Sequence, residues 1–85
     1  MSVVSPELDL HALTVDEALP QLDWYLNAAF MVGYSEVRVV HGKGSGILRQ
    51  AVNRELRKNL LVKSFRIGGH REGQTGVTIV QLAEH

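Results

Sequence analysis

The chain is 85 residues long, carries nine basic and nine acidic side chains for a formal net charge of zero, and contains no cysteine. That length allows one domain with a small core and no separate substrate domain. The missing cysteines exclude a disulfide framework, a thiolate zinc site and a cysteine nucleophile. Residues 1–6, with Pro6, read as a flexible tail that lacks the basic start and apolar segment of a signal peptide, which leaves 7–85 as the expected domain. The most apolar stretch, Leu22 to Gly33, is interrupted by Asp23 and Asn27 and is too short to cross a bilayer, so no membrane partner and a cytoplasmic location are expected.

Leu8 to His11 reads as a short strand. Thr14-Val15-Asp16-Glu17 matches a capping box, and Ala18, Leu22, Tyr25, Leu26 and Ala29 then repeat at helical spacing, with Gly33 as the stop. Pro20 lies past the first turn and is expected to kink that helix or delay its start. Trp24, like Tyr25, is expected in the core, since an aromatic at this spacing more often packs than stacks on a base. Glu36 to His41 is a second strand, and Ile47 to Lys58 a second helix ending at Asn59. Leu61 to Ile67, which holds an inward Phe65, and Val77 to Leu82 are two more strands, joined by a glycine-rich loop from Gly68 to Gly76. His85 is terminal and is assigned no role.

Between the second strand and the second helix stands His41-Gly42-Lys43-Gly44-Ser45-Gly46. A strand that runs through a glycine-rich turn into a helix leaves unpaired amides at the helix start, where the dipole favours an anion and absent side chains admit a phosphate. Lys43 adds a charge, and His41 a group that can give or take a proton. The spacing fits neither Gly-x-x-x-x-Gly-Lys-Ser/Thr nor Gly-x-Gly-x-x-Gly, so a mononucleotide or dinucleotide is a poor match and the phosphate of a polymer backbone a better one. Charge agrees. All nine basic residues fall between Arg38 and Arg71, a span whose only acid is Glu55, and this uneven distribution marks a basic face. Arg49, in the first turn after the cradle, is the arginine of the second helix best placed to join it; Arg54 and Arg57 do not share its face.

The order is β-α-β-α-β-β. Strand-helix-strand crossovers make the first three strands parallel, so their carboxyl ends share one edge, where ligands of open α/β sheets bind. His11, the His41–Gly46 turn, and the loop bearing His70 and Arg71 all belong to that edge. The sequence Leu8-Asp9-Leu10-His11, then His41-Gly42-Lys43-Gly44 after an apolar strand, then Gly76-Val77-Thr78 opening the last strand, resembles the Smr (small MutS-related) domain with its LDLHG and HGxG motifs, over about residues 7–83. The first motif usually ends in glycine; here Ala12 stands there, which alanine can do unless the turn needs a positive φ. The resemblance implies an α/β two-layer sandwich of four mixed strands and two helices, like the C-terminal domain of a translation initiation factor. It also implies nucleic-acid binding with nicking endonuclease activity in several members. It further implies a place at the end of a longer MutS-like ATPase that suppresses recombination, or a role in rescue of collided ribosomes.

Phosphodiester cleavage needs a nucleophile activator, a leaving-group acid and stabilisation of phosphoryl charge. Asp9, His11 and His41 are the catalytic candidates. Gly42, Lys43, Gly44, Ser45, Gly46, Arg49, His70 and Arg71 are the candidates for holding nucleic acid. Asp9 alternates out of phase with Leu8 and Leu10, which leaves it to orient a histidine, bind a metal or sit exposed. A two-metal nuclease wants several clustered carboxylates, and the edge offers Asp9 and Glu72, so no metal site and no required cofactor are expected. The competing class is a non-catalytic module that uses the same cradle to hold DNA, RNA or the ribosome, DNA being the favoured polymer. A binder of small phosphorylated molecules fits less well, because so short a chain offers little depth for a pocket.

Overall fold

The computed structural model describes residues 4–84; residues 1–3 and His85 lie outside it. Its elements are β1 (Glu7–Asp9), α1 (Val15–Val32), β2 (Glu36–Val40), α2 (Ile47–Lys58), β3 (Val62–Ile67) and β4 (Val77–Leu82), with a 3-10 turn at Gln74–Gly76. They form one four-stranded sheet in the order β1-β2-β4-β3. β1 pairs parallel to β2, while β4 runs antiparallel to both β2 and β3. β1, β2 and β3 therefore point the same way. Both crossovers step across the sheet in the same direction, so right-handed connections put α1 and α2 on the same face.

The core lies between that face and the helices. Val37 and Val39 of β2, Val80 and Leu82 of β4 and Leu10 meet Ala18, Leu22, Tyr25, Leu26 and Ala29 of α1 and Val52 and Leu56 of α2. The capping box closes as its sequence dictates: the Glu17 amide donates to Thr14 Oγ1 at 3.2 Å, and the Thr14 amide donates to Glu17 Oε1 at 2.9 Å. At the far end Gly33 takes φ 94°, which lets the Tyr34 amide reach back to the Ala29 carbonyl at 3.1 Å. The other sheet face carries no helix, yet Val77 and Ile79 there are buried. Arg38 and Arg66 flank Ile79 in register, and the 68–76 loop is held over this side by Glu72. Its carboxylate takes two bonds from Arg66, at 2.7 and 3.0 Å, and one from the Gly69 amide; its carbonyl takes another from Arg38.

Four expectations need correction. β1 ends at Asp9, with His11 in the turn beyond it. Pro20 neither delays nor interrupts α1, which starts at Val15 and stays helical throughout; the one bond that proline removes would have reached the Asp16 carbonyl, on an exposed residue. Trp24 is 66% exposed, because the core-facing stripe falls on Leu22, Tyr25 and Leu26 on either side of it. Residues 4–6 are tied to the body: the carbonyls of Val4, Ser5 and Pro6 accept from Tyr34 Oη, Tyr25 Oη and the Arg38 amide.

Ala12 has φ 66°, a left-handed conformation that costs an L side chain about 1 kcal/mol. Ala12→Gly should therefore raise the unfolding free energy by up to about 1 kcal/mol, less the extra entropy that glycine gives the unfolded chain. Chemical denaturation of the two proteins measures it.

Candidate nucleic-acid interface

The carboxyl ends of β1 and β2 and the start of α2 enclose an open cleft of about 130 Å³, lined by Ala12, Leu13, His41, Gly42, Gly44, Ser45, Gly46, Leu48 and Arg49. α2 enters it without a cap. Gly46 at its N-cap takes φ 85° and offers no side chain, and the first turn carries no acidic residue. Among the described residues the electropositive end of the helix thus meets no carboxylate of its own first turn, its one side-chain partner being Ser45 Oγ, which accepts from the Ile47 amide at 3.4 Å. Arg49 folds back over it: a Cβ on Gly46 would lie 3.1 Å from the Arg49 guanidinium. Among the described residues Lys43, Arg49, Arg54, Lys63 and Arg71 have no carboxylate partner within ion-pair distance, whereas Arg38, Lys58 and Arg66 do. Arg57 sits over the Phe65 ring. The basic span is therefore partly consumed in holding the fold; Arg49 is the unpaired cation that lines the cleft, while Lys43, an exposed residue of the turn, is outside the lining with its side-chain stem beside Gly76.

His11 stands next to this cleft. Gly42 has φ 81°, and a Cβ there would come within 3.5 Å of His11 Cβ, so glycine lets the end of β2 lie against the β1 turn. The Asp9 carboxylate binds the His11 ring through Nδ1 at 2.5 Å and the His11 amide at 3.0 Å. Those bonds hold the Asp9 carboxyl below its usual range. An imidazole held so keeps its proton on Nδ1 and leaves Nε2 as the working atom. The pair is open to solvent, with side-chain exposures of 64% and 51%. Of the three fates open to Asp9, the structure thus displays the exposed carboxylate that orients a histidine.

His41 is placed differently. It is 5% exposed and has both ring nitrogens engaged, Nδ1 with the Gly42 carbonyl at 3.1 Å and Nε2 with Thr78 Oγ1 at 2.9 Å. Burial holds its pKa below the ordinary value, and the Arg49 charge acts in the same sense. The alternation that puts Val37 and Val39 on the helix side carries His41 there too. The Gly42 amide is not a free donor either: it and the His41 amide both bind the Gly76 carbonyl at 3.0 Å. The unbonded amides of the cradle begin at Lys43.

The loop places His70 and Arg71 on the same edge but outside the lining of the cleft, beyond β4; both are exposed. Glu72, one of the two edge carboxylates, is fully used by Arg66 and the Gly69 amide, and its pKa falls to about 2. Among the described residues no three His, Asp or Glu side chains gather in a metal-binding group. Sequence reasoning passed over Thr78 and Asn53. Thr78 occupies a core-phase position of β4 between residues of the apolar cluster, and a buried hydroxyl there signals a polar partner.

A strand ending at Asp9 with His11 in the turn beyond it, beside a strand that runs through His-Gly-x-Gly into a helix, on a sheet of order β1-β2-β4-β3, defines a compact domain class. The chain belongs to the Smr domain family, whose model matches residues 8–83. It is 52% identical over 80 residues to a protein named Endonuclease MutS2 from Pelotomaculum thermopropionicum, and 53% identical over 79 residues to one of the same name from Thermomicrobium roseum. The alignments take in 94% and 93% of this chain and 10% of each relative, so the chain spans about a tenth of their length. Among solved structures it is similar to the Smr domain of Thermus thermophilus MutS2, with 47% identity, a TM-score of 0.88 and coverage of 91% of this chain and 96% of that one. It is also similar to YdaL, a stand-alone small MutS-related protein from Escherichia coli, at 25% identity and TM-score 0.88, covering 93% of this chain and 65% of that one. No described helix is long and apolar enough to cross a membrane.

Proposed function

We propose that this domain holds the backbone of double-stranded or branched DNA on the edge formed by β1, β2 and the start of α2, and nicks it there. One observation carries the reading: an oriented histidine with a working nitrogen, His11 on Asp9, adjoins a glycine-capped helix start over which the unpaired Arg49 folds, with Lys43 in the turn that precedes it. In this scheme Nε2 of His11 takes a proton from the attacking water as the new phosphorus–oxygen bond forms and the Asp9 carboxylate stabilises the imidazolium that results; the bond from phosphorus to the leaving sugar oxygen breaks, that oxygen takes its proton from solvent, and the imidazolium returns its own to solvent. The amides of Lys43, Gly44, Ser45 and Gly46, with Lys43 Nζ and the Arg49 guanidinium, bear the charge that develops on the phosphoryl oxygens. Gly42 shapes the turn, while His70 and Arg71 extend the basic track along the edge. His41 positions the cradle. Similarity to proteins named endonucleases supports the same reading, and a match to a tenth of the length of proteins named MutS2 supports attachment to a longer MutS-like protein, with the ATPase and the recombination setting following from the family resemblance.

A second reading, a module that binds DNA, RNA or the ribosome without cleaving, has one observation in its favour: of the two imidazoles at the cleft, only His11 keeps a nitrogen free of protein partners.

Titrating the nitrogen-labelled domain with a short DNA duplex and with a branched junction tests the interface common to both. Amide shifts should gather at Lys43 to Arg49 and at His11, with affinity falling steeply as salt rises because phosphate contacts release counterions. Shifts centred on Trp24 and Met31, or affinity indifferent to salt, would sink it.

A further inference from the structure

The buried polar chain behind the cradle joins three elements: the Asn53 side chain on α2, Thr78 Oγ1 on β4 and the His41 ring at the end of β2, at 3.2 Å and 2.9 Å. We propose that Thr78 and Asn53 are positioning residues of the phosphate cradle, acting through His41. The inference rests on the cradle being the phosphate site.

The reasoning begins at the Gly42 carbonyl, which can only accept. His41 Nδ1, 3.1 Å away, must therefore carry a proton. In the neutral ring Nε2 is then an acceptor, and the sole hydroxyl proton of Thr78 is committed to it. That leaves Thr78 Oγ1 to accept from the Asn53 amide, which takes the Asn53 side chain turned end for end from the orientation in which Thr78 donates to Asn53 Oδ1. An asparagine presents donor and acceptor ends of the same shape, so the chain also runs in reverse, with protonated Nε2 donating to Thr78 and Thr78 donating to Asn53 Oδ1. Every group stays satisfied in either sense, and in both senses Nδ1 holds the Gly42 carbonyl.

The consequence lies one bond further on. The peptide joining Gly42 to Lys43 is planar and trans, so its N–H points away from its carbonyl. Holding that carbonyl against His41 turns the Lys43 amide to the opposite side, and Lys43 is where the unbonded amides of the cradle begin. The orientation is set from both ends, because the Gly42 amide is itself held by the Gly76 carbonyl. Gly76 packs against the Lys43 side chain and the backbone of Gly42 and Lys43, where an added Cβ would lie 3.3 Å from Lys43 Cγ, 3.5 Å from Gly42 C and 3.6 Å from the Lys43 nitrogen. Thr78 is 1% exposed and cannot touch the DNA, so any effect it has on binding is indirect, and the ring and Lys43 amide signals distinguish a route through His41 from one through Asn53 and α2.

The test compares Thr78→Val with Thr78→Ser in the 85-residue chain. Three readouts are taken: the nitrogen shifts of the His41 ring, the Lys43 amide signal, and affinity for a short DNA duplex. Thr78→Val should lower the population of the Nδ1–H ring, move the Lys43 amide and weaken binding by roughly tenfold to a hundredfold, the range found where a partner orients a metal-binding histidine. Thr78→Ser, which keeps the hydroxyl, should restore all three. Asn53→Ala, at the half-buried end of the chain, serves if the valine variant does not fold, and should move the same signals by less. A folded Thr78→Val with the wild-type ring tautomer and affinity overturns the proposal, as does Thr78→Ser losing as much as Thr78→Val. If the wild type binds no DNA, the reading of the cleft as a phosphate site fails on its own, while the ring and amide signals still show whether Thr78 sets the loop.

Discussion

His11→Ala is expected to reduce DNA nicking by about two to four orders of magnitude, the usual worth of a single positioned acid–base group, while duplex affinity changes by no more than a few-fold. The ring sits on the surface and its one bonded side-chain partner is the equally exposed Asp9, so its removal costs the fold little. The contrast with His41 is the informative part. Truncating His41 empties a buried ring site and takes one partner from the buried Thr78 hydroxyl, which keeps Asn53, and one from the half-buried Gly42 carbonyl; a lost buried polar contact costs about 1–3 kcal/mol. His41→Ala should therefore lower stability and affinity together, whereas His11→Ala lowers turnover alone. Single-turnover nicking at saturating protein, with a thermal melt of each variant, separates the two. Equal loss of affinity and nicking in His11→Ala would make His11 a phosphate contact rather than a base.

The second large effect is expected far from any chemistry. Gly73→Ala should destabilise the domain by about 2–4 kcal/mol, a fall in melting temperature of roughly 10 °C or more for a chain of this size. Gly73 has φ 98°, and a Cβ there would lie 2.3 Å from Val77 Cγ2, on a side chain only 5% exposed. Left-handed strain contributes about 1–2 kcal/mol of that cost, and displacement of Val77 contributes the rest. The loop it closes delivers the Gly76 carbonyl to the His41 and Gly42 amides, so cradle signals should shift as well. A change below 1 kcal/mol would mean that Val77 turns aside freely.

Much of this architecture was legible in the residues, and the failures share a cause. The parallel order of β1, β2 and β3 follows from two crossovers, and the Thr14 and Gly33 boundaries follow from cap chemistry that depends only on near neighbours. Trp24 shares a helix with the apolar stripe but not its phase: at 100° per residue it falls outside Leu22, Tyr25 and Leu26, so an expectation drawn from aromatics at helical spacing does not apply to it. His41 and Gly42 were assigned to the ligand because a motif shows which groups are near a turn, not which are already bonded. The partners that consume them, Thr78 and Gly76, and Asn53 behind Thr78, lie more than ten residues away along the chain. Alternation along β2 was the available signal, since it puts residue 41 in phase with Val37 and Val39. The charge asymmetry was read correctly as a basic span, but pairing decides its use, and Glu72 takes Arg66 out of it.

The central claim is that the oriented histidine beside the cradle performs phosphodiester chemistry, and conversion of supercoiled plasmid to open circle by this 85-residue chain tests it most directly. The assay is run at low salt, with and without chelator, beside an RNA substrate. Open circles accumulating with wild type and not with His11→Ala, at protein concentrations where both bind the plasmid fully, is the predicted result. Plasmid that stays supercoiled while fully bound by wild type would contradict the claim and leave the edge as a binding surface alone.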